Sequence, residues 1–272
     1  MSHLLVHSGG EDSCGCVVRV TPESANWRYV GFAVHKLARH KLLTKNASEQ
    51  ETCIVILSGK VNFLTLNDEG REVRFDDVGE RNSVFDPMSP YAIYVPAGIE
   101  YQIESITPAE IALCTAPGDA SAEVRLITPQ QISVEQRGQG SNSRLVRNIL
   151  PENERAESLL IAEVITPSGN WSSYPPHKHD TDNLPQESAL EETYYHRLNP
   201  PQGFAFQRVY TDDLSVDETM TVVDGDVVMV PEGYHPVGVP HGYDLYYLNV
   251  MAGPKRAWVF ANDPEHDWIA KQ

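Results

Sequence analysis

Histidines and glutamates in the second half of the chain have the types and spacing that bind a transition metal. His177 and His179 lie in a segment whose two prolines favour extended backbone, so both imidazoles would project from one face. Glu191 and Glu192 follow in a strand-like run, where only one of the two can point inward. His235 stands just beyond a Pro-x-Gly turn. Three imidazoles and a carboxylate are donors that a divalent transition metal takes, with positions left for substrate oxygens.

The elements that must position these residues are predicted to be strands. Short apolar runs rich in Val, Ile, Tyr and Phe alternate with Gly, Pro, Asn and Asp turns, which is typical of an antiparallel sandwich or barrel. Helical periodicity is weak, and the helix candidates are the short segments 129–135 and 152–158. The predicted strands are 52–57, 61–66, 92–95, 109–113, 159–165, 204–210, 219–223, 227–230, 245–250 and 257–260.

A local repeat indicates that the chain contains two similar halves. The segment Tyr94–Gly98 is matched by Met229–Gly233 in a Val-Pro-x-Gly pattern, and each copy follows an apolar run and opens a turn. The polar stretch Gln136–Ser143 has the composition of a linker or an exposed loop. We therefore predict an N-terminal barrel over residues 1–143 and a C-terminal barrel over residues 144–272.

Charge and hydropathy exclude several classes of partner. The formal net charge of −17 would repel nucleic acid and anionic membrane surfaces. No apolar stretch approaches the ~20 residues that span a bilayer, and the first residues lack a signal pattern, so we expect a cytoplasmic protein without nucleic acid or membrane partners. The four cysteines are too few and too irregular for a disulfide framework. The sequence leaves homo-oligomerisation open.

The histidines and glutamate of the second half, together with the glycines around them, resemble the two sequence motifs of the cupin superfamily. The resemblance implies an all-β bicupin, with two tandem antiparallel jelly-roll barrels and few short helices. The insert between His179 and Glu192 is longer than in the general motif and would form a loop at the barrel mouth. The residues that resemble the first motif are His177, His179, Glu192 and Gly203, and those that resemble the second are Gly225, Pro231, Gly233, His235 and Asn249.

Longer strings around these motifs resemble one branch, the 5-deoxy-glucuronate isomerases of bacterial myo-inositol catabolism. The resemblance implies conversion of the sugar acid 5-deoxy-D-glucuronate to 5-dehydro-2-deoxy-D-gluconate, assisted by one divalent metal ion. Related uronate ketol-isomerases are reported as zinc proteins, so zinc is favoured, with manganese or iron as alternatives. In them the ligand glutamate precedes a hydrophobic-Tyr pair, which favours Glu192 over Glu191. The implied ligands are His177, His179, Glu192 and His235.

Further residues are candidates for contacting the substrate. Arg208 can clamp the carboxylate with its guanidinium fork, although a structural ion pair fits equally well. Glu192 and Tyr247 are the other catalytic candidates, and Lys255 is a weaker one. His196 fits either a core histidine or a partner of the site. His241 lies outside the Pro-x-Gly position, which favours His235 as the ligand.

The N-terminal half has no matching set of ligands, and we expect its barrel to have lost the metal site. His35 and His40 are not at His-x-His spacing, and Glu100 stands where His235 stands in the second half. Two other functions remain alternatives to the isomerase. A cupin dioxygenase would use the same ligands to hold iron, and a sugar-binding cupin would bind its ligand without turnover.

Overall fold

The computed structural model describes residues 2–66 and 70–271 of the chain, and strands dominate it. The helical elements of the described residues are one turn of α-helix, α1 (Pro22–Ala25), and the 3-10 turns Gly140–Asn142 and Asp267–Lys271. The strands are β1 (Leu5–Val6), β2 (Cys16–Val20), β3 (Gly31–Leu37), β4 (Leu42–Lys45), β5 (Gln50–Ser58), β6 (Val61–Leu66), β7 (Glu72–Val78), β8 (Ala92–Val95), β9 (Tyr101–Ser105), β10 (Ala109–Pro117), β11 (Arg125–Ile127), β12 (Ser133–Arg137), β13 (Arg144–Leu150), β14 (Leu160–Thr166), β15 (Trp171–Ser172), β16 (His177–Lys178), β17 (Asp180–Asn183), β18 (Glu187–Ala189), β19 (Glu191–Asn199), β20 (Ala205–Tyr210), β21 (Asp217–Val222), β22 (Val227–Val230), β23 (Val237–Gly238), β24 (Asp244–Ala252) and β25 (Ala261–Asn262).

Both predicted short helices are wrong. In the segment 152–158, the backbone N–H groups of Glu157 and Ser158 donate to the buried Glu51 carboxylate over 2.9 and 2.7 Å. A charged acceptor that binds successive N–H groups outcompetes a helical turn. The segment 129–135 instead forms a turn and then enters β12.

The strand predicted over residues 257–260 is also wrong. Val259 is bonded to a single residue, since its N–H donates to Ser188 Oγ over 3.1 Å and its carbonyl accepts from the Ser188 N–H over 2.9 Å. These bonds to one distant residue take the place of a strand ladder, and β25 begins only at Ala261.

The chain divides into two compact units, and their bounds differ from the predicted single boundary between residues 143 and 144. β1 pairs with β22, with Leu5 opposite Val228, and this pairing brings the start of the chain into the second unit. The C-terminal unit comprises Met1–Ser8, Val134–Asn148 and Leu160–Gln272, and the N-terminal unit comprises Gly9–Ser133 and Ile149–Leu159.

Two sheets enclose the core of the N-terminal unit. The six-stranded sheet has the order β11-β8-β5-β10-β3-β2, and the four-stranded sheet has the order β4-β9-β6-β7. Alternate residues of the central strands point into one apolar cluster, in which Ile54 and Ile111 of one sheet accompany Phe63 and Ile103 of the other. This period of two is the alternation expected for a half-buried antiparallel strand.

The C-terminal unit has the same construction. Its seven-stranded sheet has the order β1-β22-β19-β24-β14-β13-β12, and its four-stranded sheet has the order β15-β23-β20-β21. The shared core contains Tyr194 and Tyr247 of the larger sheet and Val209 and Val237 of the smaller one. Two two-stranded sheets, β16-β25 and β17-β18, complete the unit. None of the described helices is long and apolar enough to cross a membrane.

The two Val-Pro-x-Gly segments behave alike in the structure. Each directly follows a fully buried strand, β8 in one unit and β22 in the other. Each turns at a glycine in the left-handed region, with φ of +82° at Gly98 and +87° at Gly233. At Gly233 a side chain would also meet the Tyr210 carbonyl oxygen, 2.4 Å from an added Cβ, so the turn into His235 requires glycine.

Candidate metal centre

Three of the four predicted ligands meet inside the C-terminal unit. Donor atoms of His179, Glu192 and His235 all lie within 4.8 Å of one another. The three residues are 3%, 1% and 0% exposed. Both imidazoles face the same carboxylate oxygen, with His179 Nε2 3.1 Å and His235 Nε2 3.2 Å from Glu192 Oε2.

The turn before His235 determines which of its nitrogens faces the carboxylate. The assigned tautomer donates from Nδ1–H to the Gly233 carbonyl oxygen over 2.9 Å, which leaves the Nε2 lone pair directed inward. Among the described residues, this buried Nε2 has no hydrogen-bond partner. A buried polar atom without a partner is costly unless a ligand satisfies it.

Glu192 is held by strands on both sides. It lies on β19, opposite Val230 of β22 and Met251 of β24. Asn249, also on β24, donates from Nδ2 to Glu192 Oε1 over 2.6 Å, which leaves Oε2 for the imidazoles. Glu191 is only half-buried, and the alternation of the strand points it to the other face.

His177 lies beside this group but outside the 4.8 Å limit that joins the other three. Its ring centroid is 5.1 Å from that of His235 and 4.6 Å from that of Phe260. Its Nδ1 lies 3.2 Å from the Pro175 carbonyl oxygen, and donation to that oxygen leaves Nε2 as a free lone pair. His177 therefore has the chemistry of a fourth ligand and lies next to the other three.

Burial and neighbouring charges together shift the pKa values of the three histidines. Burial lowers the pKa of His235 to about 3 even though Glu192 acts in the opposite direction. It likewise lowers the pKa of His177 to about 3, and His179 adds to the effect. Burial also acts to lower the pKa of His179, but the Glu192 charge outweighs it and the net shift is upward. Neutral imidazoles and an ionised carboxylate are the forms that bind metal.

These donors fit a divalent transition metal. Buried imidazole lone pairs face one carboxylate oxygen, and the second oxygen of that carboxylate is already satisfied by Asn249. Structural and catalytic metal sites commonly combine nitrogen and carboxylate ligands with a further shell that orients them.

The two adjacent glutamates allow a direct test of the ligand set. We expect Glu192→Gln to lose most bound metal, because a neutral amide replaces the only charged ligand of the group. Glu191→Gln, the matched control one residue away, should retain metal because its side chain lies on the opposite face. Metal content after gel filtration measures both. The reverse ranking would show that the carboxylate has been assigned wrongly.

Several other predicted site residues lie outside this group. Arg208 is 39% exposed and binds Asp217 in a fork, with Nε 2.7 Å from Oδ1 and Nη2 2.9 Å from Oδ2. It shares its face of β20 with the exposed Phe206, whereas Gln207 and Val209 point inward. The structure therefore shows the ion pair and does not place Arg208 in the site.

Three further candidates have separate positions. Lys255 pairs with Asp182 at 3.1 Å, and both side chains are exposed. His241 lies in an exposed turn. His196 is fully buried, with Nε2 2.9 Å from Gln207 Oε1, which is the arrangement of a core histidine.

Tyr247 is inside the barrel, as a catalytic candidate must be. It is buried on β24, and its ring centroid is 4.9 Å from that of Tyr194. Burial raises the pKa of this phenol, and Ser172 and Ser173 act on it in the opposite direction. Tyr247 therefore holds its proton at neutral pH and can donate it in a hydrogen bond.

Arg144 is a residue that the sequence reasoning missed. It shares its face of β13 with Val146, which packs in the same core cluster as Tyr194 and Tyr247. Its Nη1 donates to the carbonyl oxygen of Tyr174 over 3.3 Å, three residues before His177. The alternation Arg144-x-Val146 at the start of an apolar run was the available signal.

The charge of Arg144 acts on the site and is not neutralised there. Among the described residues, no carboxylate lies within 4.0 Å of its guanidinium. Burial lowers its pKa, and its charge acts on Tyr247 and Tyr194. The same positive charge contributes to lowering the pKa of His177. Glu135 also acts on Arg144 electrostatically, but from beyond ion-pair distance. A partly desolvated arginine without a carboxylate at that distance is suited to bind the carboxylate of a ligand.

Known proteins show similarity over the full length of the chain. A relative from Geobacillus kaustophilus, named 5-deoxy-glucuronate isomerase, is 56% identical over 269 residues, which cover 99% of this chain and 96% of the relative. The crystal structure of an IolB-like protein from Salmonella typhimurium LT2 superposes with a TM-score of 0.95 at 47% identity, covering 99% of this chain and 100% of that one.

More distant similarity confirms the fold predicted from the sequence. The oxalate decarboxylase of Lactobacillus farciminis superposes with a TM-score of 0.67 at 14% identity, covering 100% of this chain and 91% of that one. At this identity the likeness concerns the double-barrel fold alone. The sequence model of the KduI/IolB family matches residues 4–269 of the chain. Because this match and the relative from Geobacillus kaustophilus both cover nearly the whole chain, the chain belongs to the KduI/IolB family.

Proposed function

We propose that the protein is a metal-dependent 5-deoxy-glucuronate isomerase of inositol catabolism, acting in the cytoplasm. It would convert 5-deoxy-D-glucuronate to 5-dehydro-2-deoxy-D-gluconate. The observation that carries this proposal is the full-length similarity to relatives of that name. The buried group of His179, Glu192 and His235 supports it, because it offers a metal site inside the barrel.

The ion would be held by His179, Glu192 and His235, with His177 as the fourth ligand. We propose zinc, since imidazole and carboxylate ligands with an open position are typical of catalytic zinc sites. Manganese and iron bind to similar donors and remain the alternatives. Bound there, the ion would supply Lewis-acid polarisation of a carbonyl group.

The reaction requires no oxidant, because it moves hydrogen within one molecule. A hydrogen leaves C2 and one arrives at C1, while the hydroxyl oxygen at C2 becomes a carbonyl and the aldehyde oxygen at C1 becomes a hydroxyl. The oxygens therefore gain and lose protons during the reaction. Tyr247, whose pKa burial raises, keeps its proton and would donate a hydrogen bond to one of these oxygens.

We assign the substrate carboxylate to Arg144. In 5-deoxy-glucuronate the carboxylate is at C6, at the opposite end of the carbon chain from the reacting carbons C1 and C2. A residue that binds it orients the substrate without taking part in the chemistry. Arg144 supports this role because it points into the barrel, carries no ion pair among the described residues and acts electrostatically on His177.

One experiment tests the function and the metal together. Purified protein is analysed for bound elements and then incubated with 5-deoxy-D-glucuronate while NMR follows the aldehyde signal. We expect about one zinc ion per chain, as one complete ligand set predicts, and loss of the aldehyde without consumption of dioxygen. Dioxygen uptake would favour a dioxygenase, and binding without turnover would favour a sugar-binding protein. Two ions per chain would contradict the single-site assignment.

A further inference from the structure

The N-terminal unit contains a cavity of about 560 Å³ at one end of its barrel. Strands of both sheets of that unit line the cavity. The metal centre lies in the C-terminal unit and does not use this cavity. Volumes of a few hundred Å³ are typical of sites for small molecules. The polar side chains around this cavity indicate what kind of molecule would fit.

Strand register places two hydroxyl groups side by side in the cavity. Thr52 of β5 lies opposite Thr115 of β10, which in turn lies opposite Gly31 of β3. All three line the cavity. A Cβ on Gly31 would come within 2.4 Å of Thr115 Oγ1, so the glycine makes room for this hydroxyl. Thr52 and Thr115 therefore present hydroxyl groups to the cavity, whereas apolar side chains fill the rest of the core.

The facing sheet contributes a cation and a phenol. Lys45 of β4 lies opposite Tyr101 of β9, and both line the cavity. Lys45 is half-buried, and among the described residues no carboxylate lies within 4.0 Å of its ammonium group. Burial lowers its pKa, and the charge of Arg19 at the cavity wall acts in the same direction. A partly desolvated ammonium without a counterion is suited to an anion.

His35 adds an unsatisfied polar atom deeper in the same barrel. It follows Gly31 and Ala33 on the inward face of β3 and is 0% exposed. Its Nδ1 lies 3.3 Å from the Cys14 carbonyl oxygen, whereas its Nε2 has no hydrogen-bond partner among the described residues. Burial, followed by the charge of Lys45, lowers its pKa to about 4, so it is neutral. With Nδ1–H donating to the Cys14 carbonyl oxygen, its Nε2 can accept a hydrogen bond from a hydroxyl group.

We propose that this cavity binds a small hydroxylated anion, a carboxylate or phosphate of about the size of a sugar acid. Lys45 would bind the anionic group, and the hydroxyls of Thr52, Thr115 and Tyr101 would bind the oxygens of the ligand. Glu23 and Glu49 also line the cavity, but both are exposed, and solvent screens exposed charges. The site is independent of the isomerase function, because its residues belong to the N-terminal unit alone.

Titration of the full-length protein tests the proposal. D-gluconate, inorganic phosphate and neutral D-glucose are added separately, and calorimetry measures the affinity of each. The same titrations are carried out on Glu192→Gln and on Arg144→Gln, so that binding at the metal centre or at the arginine beside it can be recognised. We expect an anion to bind with an affinity that survives Glu192→Gln and Arg144→Gln, and D-glucose to bind much more weakly. The preferred anion distinguishes carboxylate from phosphate.

Two variants locate the binding. Lys45→Met should weaken it by at least about tenfold, because it removes a charge-assisted hydrogen bond. Thr115→Val keeps the shape of the side chain and should weaken it less. Lys36→Met is the matched control, since Lys36 is exposed on the outer face of β3. Thermal midpoints show whether each variant folds.

Three results would overturn the proposal. The first is the absence of binding by both anions at millimolar concentration. The second is binding that disappears in Glu192→Gln or in Arg144→Gln, which would assign it to the metal centre or to the arginine beside it. The third is an unchanged affinity in both folded variants, Lys45→Met and Thr115→Val.

Discussion

His235→Ala is expected to empty the metal site and to remove isomerase activity, whereas His241→Ala should leave both intact. His235 Nε2 is buried beside Glu192 Oε2, and the Gly233 carbonyl oxygen fixes its orientation. Loss of residues that only orient a ligand costs about 10–100-fold in metal affinity or activity, so loss of the ligand itself should cost about a hundredfold or more. His241 is exposed in a turn and makes an internal control for histidine loss.

Metal content, turnover and thermal midpoint should be measured for both variants. The midpoint of His235→Ala should change little relative to the loss of activity, because the apolar core of the C-terminal unit stabilises the fold. Parallel loss of metal and turnover, with the fold retained, is the expected pattern. If His241→Ala empties the site while His235→Ala keeps its metal and activity, the ligand assignment beyond Gly233 is wrong.

Arg144→Gln should have the second largest effect, and it should act mainly on substrate binding. Removing one partner of a desolvated charge pair costs about 2–5 kcal/mol, and about 1.4 kcal/mol is a factor of ten. We therefore expect kcat/KM to fall by about thirtyfold or more, mostly through KM, because the carboxylate is remote from the reacting carbons. Arg144→Lys should recover part of the loss, since it restores the charge but not the fork.

A neutral substrate distinguishes this role from a structural one. Arg144 also donates to the Asn142 and Tyr174 carbonyl oxygens, so its loss can disturb the backbone before His177. A carboxylate anchor predicts that the preference for 5-deoxy-glucuronate over 5-deoxy-glucose collapses in Arg144→Gln. Structural damage predicts that both substrates lose rate equally, with metal content. Arg208→Gln serves as the control and should keep its selectivity, because it breaks the exposed pair with Asp217 and the contact of the guanidinium with the Tyr210 ring, both away from the site.

Much of the fold was predictable because it depends on local patterns. Strands such as β6, β8 and β22 have the predicted bounds, since apolar residues of strand length end at Gly, Pro or Asn turns. The double-barrel fold and the family resemblance are confirmed. The helix prediction for residues 152–158 failed where one buried carboxylate, Glu51, captured backbone N–H groups from a segment about 100 residues away. No local pattern contains that contact.

The sequence by itself determined which residue types were available for the site, because His-x-His, an adjacent Glu pair and a Pro-x-Gly-x-His turn are local features. Only the tertiary structure decided which side chains enter the barrel. Asp217, which neutralises Arg208, and Val146, which places Arg144 on the inward face, act through strand pairing and core packing. A shift of one residue in a strand exchanges its two faces, so the direction of a side chain depends on pairing between distant segments. For this reason the choice between Arg144 and Arg208 as the arginine near the site was decided only once β13 and β20 were placed in their sheets.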